Sequence, residues 1–133
     1  MGTPFARSNN SPNQGDATAR FTRVFNSEEF DVPPYGAMEI YGYTKDTHTY
    51  LVRRPLIPGR NDLLFNGSVV IKARSYGQAI QGDLCAALFA PDGQEPAAGQ
   101  IWGCIPDSWQ LSPKSSGYMV RGVASANRSA ILV

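Results

Sequence analysis

Hydrophobic and polar residues alternate over several short segments of the chain, and Gly, Pro, Asn and Asp separate these segments. Alternation with a period of two predicts half-buried β-strands, and the separating residues are typical of turns. Ser75–Gln78 is predicted to be a turn, and no helix of three turns is expected. The predicted strands are Arg20–Asn26, Ala37–Tyr43, Tyr50–Arg54, Val69–Ala73, Asp83–Ala90, Ile101–Gly103, Trp109–Leu111, Gly117–Val123 and Ala130–Val133.

The spacing of these strands indicates the fold class. Strands that recur about every 8 to 12 residues, with turn signals between them, favour an all-β fold that is either a small β-barrel or a sandwich. The chain has 133 residues, a typical length for one domain with its own core. No internal repeat of fixed period is present, so propellers and solenoids are not expected. We therefore predict a single β-rich domain over residues 20–133.

The first 19 residues differ in composition from the rest. They are mainly Ser, Asn, Gln, Gly, Thr, Ala and Pro, with Phe5 as the one aromatic side chain. So little apolar surface does not offset the entropy cost of ordering the segment alone. We predict that residues 1–19 form an extended N-terminal arm that is flexible or ordered by a partner, with Phe5 as a candidate partner contact.

Charge and composition argue against several kinds of partner. Twelve basic residues balance eleven acidic ones, which leaves a formal net charge of +1, so nucleic acid is not an expected partner. No apolar run approaches the roughly 20 residues that span a bilayer, and no secretory signal pattern is present. We expect no membrane partner and synthesis in a cytoplasm. In that compartment Cys85 and Cys104 are expected to be buried, reduced thiols.

No sequence motif points to catalysis or to a cofactor. The single histidine, His48, lies in a polar loop with no second imidazole to complete a zinc site or a catalytic triad. Glu28, Glu29 and Asp31 are predicted to form a solvated acidic turn, because adjacent residues of an extended segment point apart. Glycine-rich phosphate-binding motifs are absent. We expect a protein that is not an enzyme and that uses no cofactor or metal.

Trp102, Trp109 and Tyr118 are the leading candidates for recognition. Both tryptophans lie within eight positions in a segment that contains Gly and Pro, which predicts a strand, an aromatic corner and a second strand. Such rings either close one end of the core or are exposed, where they anchor a protein interface or stack on sugars. A second candidate set for partner contact comprises Arg53, Arg54 and Arg60, which can touch nucleic acid or pair with a partner's carboxylates. Because Lys45, Asp46 and Asp62 lie nearby in the sequence and dilute the positive charge, we favour a mixed-charge rim over a nucleic-acid site.

Short motifs lie in four segments of the chain: Asn26–Ile40, Phe65–Gly67, Ile101–Leu111 and Gly117–Tyr118. Together they resemble a group of small structural proteins of tailed bacteriophages and prophages. In that group an opening of Asn, acidic residues, Val or Ile, Pro, an aromatic residue and Met recurs with a closing Trp-Gly-Pro-x-(Pro/Gly)-x-Ser-Trp-x-Leu. This chain departs at Cys104, where the group more often has Pro, and at Phe30, which lengthens the opening.

The resemblance spans about Asn26 to Gly122 and implies a virion component. Among virion components, a capsid cement (decoration) protein best fits the size, the β content and the polar arm. Such proteins commonly sit as trimers where capsomers meet, so the resemblance implies binding to further copies of this chain and to the major capsid protein. The alternative is a tail or head-fibre component that binds host carbohydrate or another receptor through Trp102, Trp109 and Tyr118.

Overall fold

The computed structural model describes residues 20–81, 84–90, 93–123 and 130–133. Over these ranges the chain is all-β, with a closed five-stranded barrel and two three-stranded sheets. The predicted fold class is confirmed, and the barrel is the form that the structure adopts. The predicted arm, residues 1–19, lies outside the described residues. Within the described part of the chain, no helix is long and apolar enough to cross a membrane.

The described residues form eleven strands. Their bounds are β1 (Arg20–Asn26), β2 (Ala37–Thr44), β3 (Thr49–Arg53), β4 (Leu64–Asn66), β5 (Tyr76–Gln81), β6 (Ala86–Leu88), β7 (Ile101–Cys104), β8 (Leu111–Ser112), β9 (Tyr118–Met119), β10 (Gly122–Val123) and β11 (Ala130–Leu132). The first five strands make the barrel in the order β1-β3-β2-β4-β5. The remaining strands make two sheets, in the orders β10-β11-β6 and β8-β7-β9.

The barrel closes because β1 pairs with both β3 and β5. β1 runs parallel to β3 and antiparallel to β5. The register of β2 against β3 shifts between Ile40 and Gly42, which marks a β-bulge. A bulge increases the local twist of a strand, and twist helps a sheet of so few strands to close on itself.

Two hydrophobic cores lie on opposite faces of the barrel wall. Ala37, Phe65 and Ile80 stand side by side on β2, β4 and β5 and face outward, whereas their neighbours Met38 and Leu64 face inward. The interior core contains Val24, Val32, Met38, Val52, Leu64, Ile71 and Ala79. The outer core packs the small sheets against the barrel and contains Ala37, Leu63, Phe65, Cys85, Ala87, Trp102, Cys104, Leu111, Val120, Ile131 and Val133.

Two predictions for the middle of the chain are wrong. Ser75–Gln78, predicted to be a turn, contains the start of β5, which pairs with β1. Val69–Ala73, predicted to be a strand, is irregular apart from an isolated bridge at Ile71. Ile71 packs against Gly77, where an added Cβ would lie 2.7 Å from Cγ1 of Ile71. The glycine that suggests a turn is needed for Ile71 to pack against β5.

Three other predicted strands are shorter in the structure. Asp83–Ala90 keeps only Ala86–Leu88, and residues 82–83 lie outside the described residues. In the segment Trp109–Leu111 the strand starts only at Leu111. Gly117–Val123 divides into β9 and β10, because β9 pairs with β7 whereas β10 pairs with β11. The chain passes from one small sheet to the other between them, at the buried Val120.

Candidate partner-binding surface

Strand β2 places the carboxylate of Glu39 on the outside of the barrel, where the loop of residues 54–63 covers it and leaves 1% of the residue exposed. Nε of Arg53 donates to Oε2 at 2.9 Å, and the Leu56 N–H donates to Oε1 at 3.1 Å. NH1 of Arg60 lies 3.1 Å from Oε1. A buried carboxylate is tolerated where donors and positive charge surround it. These contacts tie the loop to β2.

The pKa values of this network fit a charged state at neutral pH. Burial alone would raise the pKa of Glu39, but hydrogen bonds from the Leu56 N–H, Arg53 and Arg60 outweigh it and lower the pKa below its ordinary value. Arg60 also donates to Asp62, from Nε to Oδ1 at 2.8 Å and from NH2 to Oδ2 at 2.7 Å. This pairing lowers the pKa of Asp62 and raises the pKa of Arg60. The loop is therefore held by ionised side chains.

Arg54 makes a separate pair with Glu28. NH2 of Arg54 donates to Oε1 at 2.9 Å, Nε donates to Oε2 at 3.0 Å, and the Arg54 backbone N–H donates to Oε2 at 2.6 Å. Burial opposes ionisation of Glu28, but these hydrogen bonds outweigh it and lower the pKa of the carboxyl group. The fork geometry fixes the plane of the guanidinium as well as its position.

Both guanidinium groups stack on exposed aromatic rings. Cζ of Arg53 lies 4.7 Å from the ring centroid of Tyr41, and Cζ of Arg54 lies 4.9 Å from that of Phe30. These four side chains and Leu56 line one open cavity of about 480 Å³, which we call the arginine–aromatic surface. Acidic and basic groups also border the cavity, among them Glu29, Arg74 and Asp107.

The arginine–aromatic surface has the composition of a protein interface. Phe30 is 58% exposed, and Tyr41 and Leu56 are each 44% exposed. Arg and aromatic residues are enriched where proteins bind one another, and they dominate the binding energy of such interfaces. The ion pairs with Glu28 and Glu39 hold both arginines in place, and side chains fixed in this way lose little entropy when a surface is bound.

The structure separates the three aromatic candidates for recognition. Trp102 is 0% exposed, lies edge-to-face with Phe89 at 5.8 Å, and belongs to the outer core. Trp109 is half-buried and packs instead against the interior core of the barrel. Tyr118 is half-buried, and its hydroxyl oxygen accepts a hydrogen bond from the Leu63 N–H at 2.8 Å. Burial raises the pKa of Tyr118 to about 12.

Trp102 is thus a core residue and offers no ring to a ligand at the surface. Trp109 and Tyr118 pack against different cores and form no shared exposed platform with it. Phe5, the remaining candidate, lies outside the described residues.

The sequence pointed to Arg53, Arg54 and Arg60 but not to the aromatic half of the surface. The alternation in β2 puts Met38 and Ile40 on one face, so exposure of Tyr41 on the opposite face was available as a signal. Phe30 had no such signal. It follows the acidic residues directly, and only the fold of the Ser27–Asp31 segment brings its ring over Arg54.

The remaining candidates for chemistry are metal-binding clusters and the single histidine. In residues 20–81, 84–90, 93–123 and 130–133, no group of three or more His, Cys, Asp or Glu side chains is arranged to hold a metal ion. Nδ1 of His48 lies 2.9 Å from the Tyr43 hydroxyl, on an exposed turn.

Comparisons with protein-family models, with curated proteins and with solved structures give no match for this chain.

Proposed function

We propose that this protein is a capsid cement (decoration) protein of a tailed bacteriophage. In this proposal it is a non-enzymatic virion component, made in the host cytoplasm, that binds the outer surface of the major capsid shell as a homotrimer and stabilises it. The motifs in Asn26–Ile40 and Ile101–Leu111 support the family, and the small all-β barrel is compatible with it.

The observation that carries the proposal is the arginine–aromatic surface. Phe30, Tyr41 and Leu56 expose apolar area beside two guanidinium groups that Glu28 and Glu39 hold in place, and that combination suits a large protein partner. A capsid shell repeats one such partner many times. When the copies within one trimer bind to the shell together, even a modest affinity per copy gives dense decoration.

The positions of Trp102, Trp109 and Tyr118 weigh against the alternative in which these three residues bind host carbohydrate. A sugar platform needs exposed rings, whereas Trp102 is completely buried in the outer core. The remaining two rings lie on separate clusters, so neither pairs with the other to sandwich a sugar.

The composition of virions tests the proposal. Quantitative mass spectrometry of purified particles from the phage that encodes this chain should find it in a copy number of the same order as the major capsid protein, which serves as the internal standard. Absence from the particle overturns the proposal, and a few copies per particle overturns it in favour of a fibre component.

Loss of the gene gives a second readout. Particles assembled without the protein should release their DNA at a lower temperature than wild-type particles, and added purified protein should restore the release temperature. Particles that are equally stable with and without the protein would contradict a cementing role.

A further inference from the structure

A second exposed feature lies on the outer face of β5. Alternation in β5 turns Ala79 into the barrel, where it is 0% exposed, and turns Tyr76 and Ile80 outward. Phe21 of β1 stands beside Ile80, its partner in register. These side chains and the loop of residues 66–70 enclose a groove of about 320 Å³, which we call the β5 groove.

The walls of the β5 groove are largely apolar and exposed. Val69 is 75% exposed, Phe21 63%, Tyr76 54% and Val70 39%. Clustered apolar side chains of this kind mark a binding site, because leaving them in water is unfavourable. The arginine–aromatic surface is lined by different residues, so it does not account for this groove.

The β5 groove is already shaped before anything binds. Nδ2 of Asn66, a residue 2% exposed, donates to the carbonyls of Pro33 and Val69 at 3.0 and 2.8 Å and so fixes the loop that forms one wall. On the other wall, the ring of Tyr76 lies edge-on to Phe25 at 5.0 Å with the Arg23 guanidinium 4.3 Å from its centroid. A fixed apolar groove binds a side chain at low entropy cost.

The start of β1 at the groove points to the segment that precedes β1 as the source of the occupant. Nineteen residues precede β1, and the second residue of β1, Phe21, lines the groove. At about 3.3 to 3.6 Å per residue, the segment from Phe5 to Arg20 reaches up to about 50 Å. β1 begins at the Ile80 end of the groove and runs along β5 towards Tyr76, so a preceding segment could fill the groove of its own copy only by running opposite to β1. A neighbouring copy requires no reversal.

We propose that Phe5 of one copy inserts into the β5 groove of a second copy and so links the copies of the oligomer. The inference rests on the homo-oligomer of the proposed function and assigns its contact. Phe5 is the one aromatic side chain among the first 19 residues, and the groove volume suits a single large side chain rather than a domain. Each copy then inserts its arm into the next copy, which is a head-to-tail contact. Three such contacts close a ring in a trimer.

The experiment uses full-length purified protein without capsids. A photo-crosslinking phenylalanine analogue replaces Phe5, and chains labelled with ¹⁵N are mixed with unlabelled chains before illumination. We expect crosslinks from position 5 to Val69, Val70 or Tyr76 that join labelled to unlabelled chains. Crosslinks only within one chain, or only to residues outside the groove, overturn the proposal.

Light scattering after size-exclusion chromatography gives the matched test. Phe5→Ala changes no described residue, and Val69→Asp changes an exposed side chain. Each substitution should raise the dissociation constant of the oligomer at least tenfold. Ile57→Asp, which changes an exposed apolar residue outside the groove, should leave the oligomer intact. An oligomer that resists both Phe5→Ala and Val69→Asp overturns the proposal, whereas capsid binding is decided separately by the virion measurements.

Discussion

NH1 of Arg60 lies 3.1 Å from Oε1 of Glu39, and this contact fastens the loop of residues 54–63 to strand β2. Arg53 and the Leu56 N–H bind the same carboxylate, so one buried acidic group orients residues of the strand end and of the loop. Because Arg53 and Leu56 also line the arginine–aromatic surface, the shape of that surface depends on the charge of Glu39.

Glu39→Gln is expected to remove a pH-dependent part of the stability. The folded pKa of Glu39 lies below its ordinary value of about 4.3, so the carboxylate stabilises the fold above that pH, and the contribution is lost as pH falls through the folded pKa. We expect the variant to be less stable by about 1 to 3 kcal/mol at pH 7. The difference from wild type should shrink between about pH 5 and about pH 3.

Urea unfolding at a series of pH values measures this effect. Glu95→Gln is the matched control, because Glu95 is exposed on a loop, and it should follow the wild-type curve. If the difference in the free energy of unfolding between wild type and Glu39→Gln stays constant down to pH 3, the charge of Glu39 is not what stabilises the loop.

Gly103→Ala is expected to be severely destabilising. A Cβ at Gly103 in β7 would overlap the backbone of Ser116, which cannot move aside as a flexible side chain can. We expect a loss of at least about 3 kcal/mol, the upper end for overpacking. Gly67→Ala is the control, because its nearest atom is Cδ1 of Ile80 at 4.0 Å. Thermal melts of the two variants should differ widely, and similar melting temperatures would contradict this packing.

The strands that the sequence predicts well are those whose own residues carry the pattern. β1 and β2 have β-branched and aromatic residues in alternation, and their predicted bounds match the structure within one residue. β5 was missed because Tyr76, Gly77 and Gln78 look like a turn, and only pairing with β1 makes them a strand. Val69 and Val70 have high β propensity, yet they lie exposed in a loop, since tertiary contacts override local preference.

The arginine–aromatic surface could also be predicted only in part from the sequence. The cluster of arginines is visible in the sequence, but whether each pairs with a partner or with its own chain is decided by Glu28 and Glu39, which are distant in sequence from Arg54 and Arg60. Burial of Trp102 likewise depends on Phe89 and the other outer-core residues. Local sequence predicts such residue types, whereas their exposure is a property of the assembled fold.

The cysteines are expected to react with alkylating reagents only after unfolding. Cys85 and Cys104 are not joined in a disulfide in the structure, as the sequence predicted, and they are 4% and 0% exposed. Iodoacetamide should therefore add to neither thiol in native protein and to both in urea, as read by intact mass. A mass two hydrogens below the reduced value, in protein prepared without reductant, would contradict the reduced state.

Truncation of the two tryptophans to alanine should lower the free energy of unfolding by unequal amounts. Trp102→Ala removes a completely buried ring that contacts Phe89, and we expect a loss of about 3 to 5 kcal/mol. Trp109→Ala removes a half-buried ring and should cost less, within about 0.5 to 3 kcal/mol. Trp102→Phe keeps an aromatic ring but loses the hydrogen bond from Nε1 to Gln100, so it should fall between wild type and Trp102→Ala. Denaturant unfolding ranks the three variants, and equal costs for the two alanine variants would refute the unequal burial.

Tyr41 and Tyr43 offer the sharpest test of the binding surface. Both lie on β2 and are similarly exposed, at 44% and 48%, but only Tyr41 lies under the Arg53 guanidinium in the arginine–aromatic surface. Tyr43 instead packs on Tyr50 and contacts His48. If the surface binds the capsid, Tyr41→Ala should cost about 2 kcal/mol of binding, the lower limit for a hot spot and about thirtyfold in Kd.

Titration of each labelled variant onto particles that lack the protein measures this difference, with melting temperatures confirming that both variants fold. Tyr43→Ala should bind within about threefold of wild type, because a surface substitution away from the contact changes little. Equal losses for the two variants would indicate a general effect on β2. Unchanged binding by Tyr41→Ala would contradict capsid binding through the arginine–aromatic surface, because Tyr and Arg near the centre of an interface dominate its binding energy.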